Sequence, residues 1–167
     1  MKAVIYTKTG GLEVVKQQSV QMPLPSDDQV LVEVKACALN IGDYQRFQTK
    51  NGKIPVSTHI TNKLMGYVGK PLGAEIAGIV TKTGRNVTHV KVGDAVFGKT
   101  AGTAPVGGIA EYAVMDADRV CLKPDDFSFE EAAAVSISFD TALGAVRKAD
   151  ITNGQKVMIY GASGGVG

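Results

Sequence analysis

Residues near the end of the chain have the composition of a loop that binds a diphosphate. An apolar stretch at 156–160 predicts a β-strand, and four glycines occupy the seven positions that follow it. Such a loop needs small residues because the strand turns sharply into a helix and backbone N–H groups approach the pyrophosphate closely. An isolated glycine-rich match also fits an ordinary tight turn or a disordered tail. The predicted cofactor-binding residues of the loop are Ala162, Ser163, Gly164, Gly165, Val166 and Gly167.

Three polar residues in the first half of the chain are candidates for contact with a substrate. Asn40 carries an amide that can donate a hydrogen bond to a carbonyl, and Asp43 and Tyr44 carry groups that can transfer a proton. Each has a structural alternative: the amide could bond to its own loop, Asp43 could pin the following turn, and Tyr44 could pack at a domain edge. All three are kept as candidate catalytic residues.

Glu75 is a charged residue at the start of an apolar stretch. An unpaired charge there would be costly. We expect a buried ion pair with a basic residue of a part of the fold beyond this chain, rather than a catalytic role.

The elements that must position these residues are mostly short strands separated by turn residues, which indicates a β-barrel or a sandwich. The clearest strand is 30–36, where Val30, Val32 and Val34 alternate with other side chains. A helical turn at 43–48 is followed by a polar loop around His59. The other predicted strands are 3–6 and 12–15 as a hairpin, then 75–83, 95–98, 109–114 and 119–122.

The periodicity changes from strand to helix at Ser128. Ser128 and Glu131 have the spacing of a capping box, in which the hydroxyl and the carboxylate each accept from a free N–H of the first helical turn. We predict a short helix through residue 135 and a second helix from about 140 to 149. The order is therefore strands, helices, and one strand that leads into the glycine loop.

Composition excludes several classes of function. The 167 residues carry a net charge of +2 without a basic run, so nothing supports binding to nucleic acid. The apolar stretches are far shorter than the roughly 20 residues of a membrane helix. The two cysteines, Cys37 and Cys121, are far apart, and we expect reduced thiols. We predict a soluble, cytoplasmic protein.

Several stretches, in the right order along the chain, resemble the medium-chain dehydrogenase/reductase superfamily, and specifically its zinc-independent quinone oxidoreductase-like branch. Each stretch is weakly specific alone, and the set spans essentially the whole chain. The stretches are 32–43 (VEVKACALNIGD), 72–80 (LGAEIAGIV), 92–98 (VGDAVFG), 107–112 (GGIAEY), 129–134 (FEEAAA) and the final glycine loop.

The resemblance implies a mostly β, GroES-like barrel with short helices, followed by a truncated α/β Rossmann segment. Residues 1–127 would form the substrate and catalytic domain. Residues 128–167 would supply connecting helices, the first strand and the glycine loop of the nucleotide-binding domain. It also implies a homodimer in the full-length form, with Thr141 facing the carboxamide of the nicotinamide. In related reductases a pocket aromatic falls near Tyr44, although Gln45 is the alternative at that position.

The same resemblance implies that the site holds no metal. Zinc-dependent alcohol dehydrogenases have a cysteine where this chain has Asn40 and a histidine where it has Ala74. A catalytic zinc normally needs three side-chain ligands. His59 and His89 match no ligand motif, and the four-cysteine structural zinc lobe is absent from this sequence.

The implied activity is hydride transfer from NADPH or NADH to a quinone, an enone or a related carbonyl substrate, without a metal. We expect the chain to be the front portion of such an enzyme and to be inactive alone. Two alternatives stay open: a non-enzymatic GroES-like binding module or degenerate paralogue, which the short length favours, and a zinc-type alcohol dehydrogenase, which Asn40 and Ala74 disfavour.

Overall fold

The computed structural model describes residues 1–47, 68–101 and 107–167, together with Ser57, Ile60 and Leu64. The predicted polar loop around His59 lies outside the described residues. The described elements, in chain order, are β1 (Lys2–Tyr6), β2 (Val15–Ser19), β3 (Gln29–Ala38), α1 (Ile41–Gln45), β4 (Glu75–Thr83), β5 (Ala95–Lys99), β6 (Tyr112–Asp116), β7 (Val120–Leu122) and α2 (Phe129–Ala149).

Two antiparallel sheets form the β part of the molecule. β1 and β2 pair as a hairpin, but the predicted second strand at 12–15 is wrong, because Leu12–Val14 form a 3-10 turn and β2 begins only at Val15. The other five strands form one sheet in the order β6-β3-β4-β5-β7. The predicted strands at 30–36, 75–83, 95–98 and 119–122 correspond to β3, β4, β5 and β7, while β6 begins three residues later than predicted.

Strand β4 lies in the middle of the five-stranded sheet, and both of its faces are covered. Ile76 and Val80 belong to the main apolar core, which the valines of β3 also enter. Ala77 points to the other face, where Ala132 and Ala133 of α2 pack against it. Because small side chains meet at this contact, the helix lies close to the sheet. This close packing brings the middle of α2 next to the start of β4.

Helix α2 begins at the predicted capping box. The Ser128 hydroxyl accepts from the Glu131 N–H at 3.1 Å, and the Glu131 carboxylate accepts from the Ser128 N–H at 2.8 Å. The helix ends at Ala149, and the following residue, Asp150, has the left-handed conformation (φ 49°). The prediction of two separate helices is wrong: 129–149 is one continuous helix. The segment 136–140 contains no proline or glycine that would interrupt it.

The predicted strand at 156–160 is also not observed. No described strand pairs with these residues, and their side chains are exposed. A strand is stable only when its N–H and C=O groups bond to a neighbouring strand. Among the described residues no such neighbour reaches this segment. The division into 1–127 and 128–167 stays a prediction.

Candidate active site

The loop after β3 is held by the carboxylate of Asp43. Asn40 precedes α1, and Asp43 lies in the first turn of that short helix. One Asp43 carboxylate oxygen accepts from the Asn40 backbone N–H at 2.9 Å, and the other accepts from the Gly73 N–H at 3.1 Å. Asp43 is only 3% exposed. The carboxylate therefore joins the loop after β3 to the loop before β4, which is the structural role considered for it. Its role in proton transfer stays a prediction.

The side chain of Asn40 is held by Glu75 at the beginning of β4. Asn40 Nδ2 donates to Glu75 Oε2, and Glu75 Oε1 accepts from the backbone N–H of Ile137 in α2. Glu75 is 1% exposed. Within the described residues, amide donors from α2 and from Asn40 bind the carboxylate. The expected ion pair with a basic residue beyond this chain stays a prediction.

The pKa values of two groups at this site, Glu75 and Cys37, are raised. Burial raises the pKa of Glu75, while the hydrogen bonds from Ile137 and Asn40 oppose the shift. Burial, together with the nearby carboxylates of Asp43 and Glu75, raises the pKa of the Cys37 thiol to about 12. Because the thiolate is the nucleophile and the metal ligand, this raised pKa disfavours both roles for Cys37 near neutral pH.

Gly73 lets the loop before β4 approach Cys37 closely. Its φ is 89°, a conformation that glycine adopts at little cost, and a Cβ there would lie 2.5 Å from Cys37 Sγ. Sequence reasoning quoted Gly73 as part of a motif and missed its contribution, which is the N–H that bonds to Asp43. It also missed the Ile137 N–H, because a helical backbone amide carries no residue-type signal.

Tyr44 packs in a small apolar cluster with Tyr6, Val14, Phe47 and Leu72. Its ring meets the Phe47 ring edge-on, with 5.7 Å between the centroids. This arrangement is the packing alternative considered for Tyr44. Its contact with a substrate stays a prediction.

Thr141 lies on α2 one turn after the residue that binds Glu75. Its hydroxyl donates to the Ile137 carbonyl oxygen at 2.7 Å. The Thr141 hydroxyl thus bonds to the helix backbone. Its predicted contact with a nicotinamide carboxamide stays a prediction.

The glycine loop is exposed and folds back on itself. The Gly164 N–H donates to the Gly161 carbonyl oxygen at 2.9 Å, and a Cβ on Gly167 would clash with that same oxygen. A Cβ on Gly165 would lie 3.6 Å from the Ser138 hydroxyl. Since Ser138 follows Ile137, the loop passes beside the part of α2 that binds Glu75.

The positions that bind zinc in related alcohol dehydrogenases are occupied by groups engaged in the fold. The Ala74 side chain is buried, and the Ala74 carbonyl oxygen accepts from the Thr100 N–H at 2.9 Å. Over residues 1–47, 68–101 and 107–167, no three His, Cys, Asp or Glu side chains are grouped so that they could hold a metal ion. The absence of a metal stays a prediction.

An apolar groove of about 570 Å³ lies between β5, β7 and α2. Phe97, Phe127 and Phe139 contribute to its walls, and the ion pair of Lys99 with Asp140 (2.6 Å) lies at its edge. None of the predicted catalytic residues lines it. The groove is therefore a feature separate from the Asn40 and Glu75 site.

Comparison with known proteins identifies the family. Residues 26–125 match the alcohol dehydrogenase GroES-like domain. The whole chain aligns with 47% of the quinone oxidoreductase of Sus scrofa, at 40% identity over 169 residues. It also aligns with 42% of the 2-methylene-furan-3-one reductase of Solanum lycopersicum, at 35% identity over 173 residues. The chain thus spans less than half of the length of either relative.

The fold agrees with this assignment. The structure of the Escherichia coli quinone oxidoreductase complexed with NADPH superposes on 89% of this chain, with a TM-score of 0.71 and 28% identity, and 41% of that protein is covered. The chain belongs to the alcohol dehydrogenase GroES-like domain family, and its relatives are quinone oxidoreductases of the medium-chain dehydrogenase/reductase superfamily. The predicted family and fold class are confirmed. Among the described residues, no helix is long and apolar enough to cross a membrane.

Proposed function

We propose that this chain is the substrate-side part of an oxidoreductase that transfers a hydride from NADPH or NADH to a quinone, an enone or a related carbonyl. The observation that carries the proposal is the Asn40 side chain, held by Glu75 beside the part of α2 that the glycine loop approaches. A half-buried amide fixed in this way suits contact with a carbonyl or a carboxamide.

The backbone N–H groups of the glycine loop are suitable donors for the diphosphate of a nicotinamide dinucleotide. Residues 162–167 carry backbone N–H groups on mostly small residues, and a Cβ on Gly167 would clash with the Gly161 carbonyl oxygen, so only glycine fits there. These residues would hold the diphosphate. When bound, the cofactor supplies the hydride. The NADPH complex of the Escherichia coli relative supports NADPH as the cofactor to test first.

The work of this chain in the reaction is to bind and orient the carbonyl. As a quinone, or the β-carbon of an enone, accepts a hydride, negative charge develops on the conjugated carbonyl oxygen. The second N–H of the Asn40 amide, which Glu75 does not use, can donate to that oxygen. Tyr44 and Asp43 stay candidates for supplying the proton. No Lewis acid is needed for this step, and an amide at residue 40 with a methyl at residue 74 supports a reaction without zinc.

The chain by itself should be inactive. Among the described residues no strand pairs with 156–160, so the frame that aligns the loop amides is not assembled. A homodimer and a cytoplasmic location are parts of the same proposal. A small-molecule substrate is expected, and nucleic acid is not expected to bind.

The test is a titration of the natural full-length protein with NADPH and NADH, followed by a panel of quinones and enones. We expect one nucleotide to bind and at least one quinone or enone to be reduced. Asn40→Ala should lower kcat/KM about 10-fold or more. Asn86→Ala is the matched control, because the Asn86 amide binds Asp28 at the surface and should leave the rate unchanged.

Two outcomes would contradict the proposal. If neither nucleotide binds, the non-enzymatic binding module becomes the better interpretation. If purified protein contains stoichiometric zinc that chelation removes together with activity, the zinc-type alcohol dehydrogenase becomes the better interpretation.

A further inference from the structure

We propose that Glu75 is a positioning residue, which sets the orientation of the Asn40 amide and couples it to the middle of α2. This inference rests on the proposed function for its consequence in catalysis. Its geometric part stands on the described hydrogen bonds alone.

The first step of the argument is the chemistry of the carboxylate. An ionised carboxylate only accepts hydrogen bonds, so the NH₂ group of Asn40 must face Glu75. Turning the amide over would place its oxygen against a carboxylate oxygen, which is repulsive. One N–H of Asn40 is thereby left for a ligand, while the amide oxygen faces the backbone N–H of Asp43 in a capping box. Glu75 therefore decides which side of the amide a substrate or cofactor meets.

The second step is the position of the other hydrogen bond. Ile137 is an interior residue of α2. Its backbone N–H is also within hydrogen-bond reach of a carboxylate that comes from the sheet, and it donates to that carboxylate. A side chain that is 1% exposed therefore joins the backbone of the helix to Asn40. Any shift of this part of α2 would be transmitted to the amide.

The third step is what else this turn of α2 contacts. Ser138, the next residue, lies beside Gly165 of the glycine loop. The Ile137 carbonyl oxygen accepts from Thr141. Glu75 thus connects the predicted substrate contact with the turn of the helix that borders the predicted cofactor loop.

Other charged and titratable groups face Glu75 from each neighbouring element, and the experiment must account for them. Asp43 after β3 and Lys99 on β5 act on its charge, and Cys37 on β3 is affected by it. On α2, Asp140 binds the Lys99 ammonium at 2.6 Å. Variants of Glu75 are therefore compared at one fixed pH before any titration.

The geometric test uses the chain itself, labelled with ¹⁵N for NMR. In Glu75→Gln, where the new side chain cannot accept both hydrogen bonds, we expect the Asn40 side-chain signals and the Ile137 amide signal to shift together, with faster exchange of the Ile137 amide. Glu111→Gln is the control, because the Glu111 carboxylate accepts from the Lys2 N–H and should leave both signals in place. If Glu75→Gln does not fold, titration of Glu75 in the unmodified chain should move the same two signals. Unmoved signals in a folded variant, or in that titration, would overturn the proposal.

The functional test uses the full-length protein and a double-mutant cycle. Glu75→Gln should lower kcat/KM about 10-fold, with the affinity for the nucleotide changed less than about 2-fold. In the Asn40→Ala background the same substitution should cost almost nothing further, because the amide that it orients is already gone. Additive losses would mean a merely structural role and would overturn the coupling. Failure of nucleotide binding would remove the proposed function and leave the NMR result intact.

Discussion

Two apolar segments of similar composition differ in burial and in secondary structure. Residues 76–80 form the centre of β4, where Ile76 is fully buried, whereas residues 157–160 form no strand and Tyr160 is fully exposed. β4 has strands on both edges and α2 on one face. The later segment has no neighbour among the described residues. An apolar pattern therefore indicates only that a segment is suited to burial. Whether the segment forms a strand depends on neighbouring strands that can pair with its backbone.

The largest effect that tests this comparison is expected at Gly98. Its φ is 149°, and a Cβ there would clash with the carbonyl oxygen of Arg119. Gly98→Ala should lower the free energy of unfolding by at least about 3 kcal/mol, or prevent folding. Gly144→Ala, in α2 with open space around it, should instead stabilise the helix by up to about 1 kcal/mol. Urea unfolding of both variants measures the contrast, and a stable Gly98→Ala protein would contradict it.

The next effect compares one isoleucine from each segment. Ile76→Ala removes a buried side chain from the main core and should cost about 2–5 kcal/mol in the free energy of unfolding. Ile159→Ala changes an exposed side chain and should cost less than about 0.5 kcal/mol. Thermal unfolding by circular dichroism distinguishes them. A similar loss in both would mean that 157–160 is packed in solution.

A smaller effect is expected in the dependence of stability on pH. Since burial raises the pKa of Glu75 above 4.5, the folded protein keeps this proton to higher pH than the unfolded chain does. The contribution of Glu75 therefore favours the folded state at low pH and is lost as the pH rises from about 4.5 through the raised pKa. Its slope is at most about 1.4 kcal/mol per pH unit.

Urea midpoints should be measured for the unmodified protein and for Glu75→Gln across this pH range. The loss of stability with rising pH that Glu75 causes should be absent from the variant. Glu13→Gln provides a comparison of opposite sign. Backbone N–H donors lower the pKa of the exposed Glu13, so its contribution is lost as the pH falls. A Glu75→Gln protein with an unchanged pH dependence would show that Glu75 does not titrate differently in the folded state.

The smallest effect concerns serines at the two ends of residues 128–167. Ser128→Ala removes the hydroxyl that accepts from the Glu131 N–H and should cost about 1 kcal/mol. Ser163→Ala, in the exposed glycine loop, should change the free energy of unfolding by less than about 0.5 kcal/mol. Equal values in chemical unfolding would mean that the loop is as well packed as the start of α2.

Sequence reasoning succeeded where local chemistry decides the outcome. The capping box at Ser128 and the hairpin between β1 and β2 follow from side chains and turns that act over a few residues. It failed where distant parts of the chain decide. The residues 136–140 were expected to separate two helices, yet packing on β4 and the Lys99–Asp140 ion pair accompany one continuous helix.

The candidate site divides in the same way. The nearness of Asn40 and Asp43 was evident from their spacing, and Asp43 does pin the turn between them. The partners of Glu75 were not evident, because one is an amide 35 positions away and the other is a backbone N–H 62 positions away. Nothing in the residue types announces a contact with a helix backbone.

The sequence by itself determined the family, the short strands and the start of α2, because turn residues, alternation and capping act locally and leave a pattern in residue types. Only the tertiary structure decided that Glu75 joins Asn40 to α2, and that 157–160 pairs with no other described part of the chain. Both outcomes depend on which surfaces meet after folding. Hydrogen bonds and burial between distant segments exist only when those segments are in contact, so no single segment of the sequence reveals them.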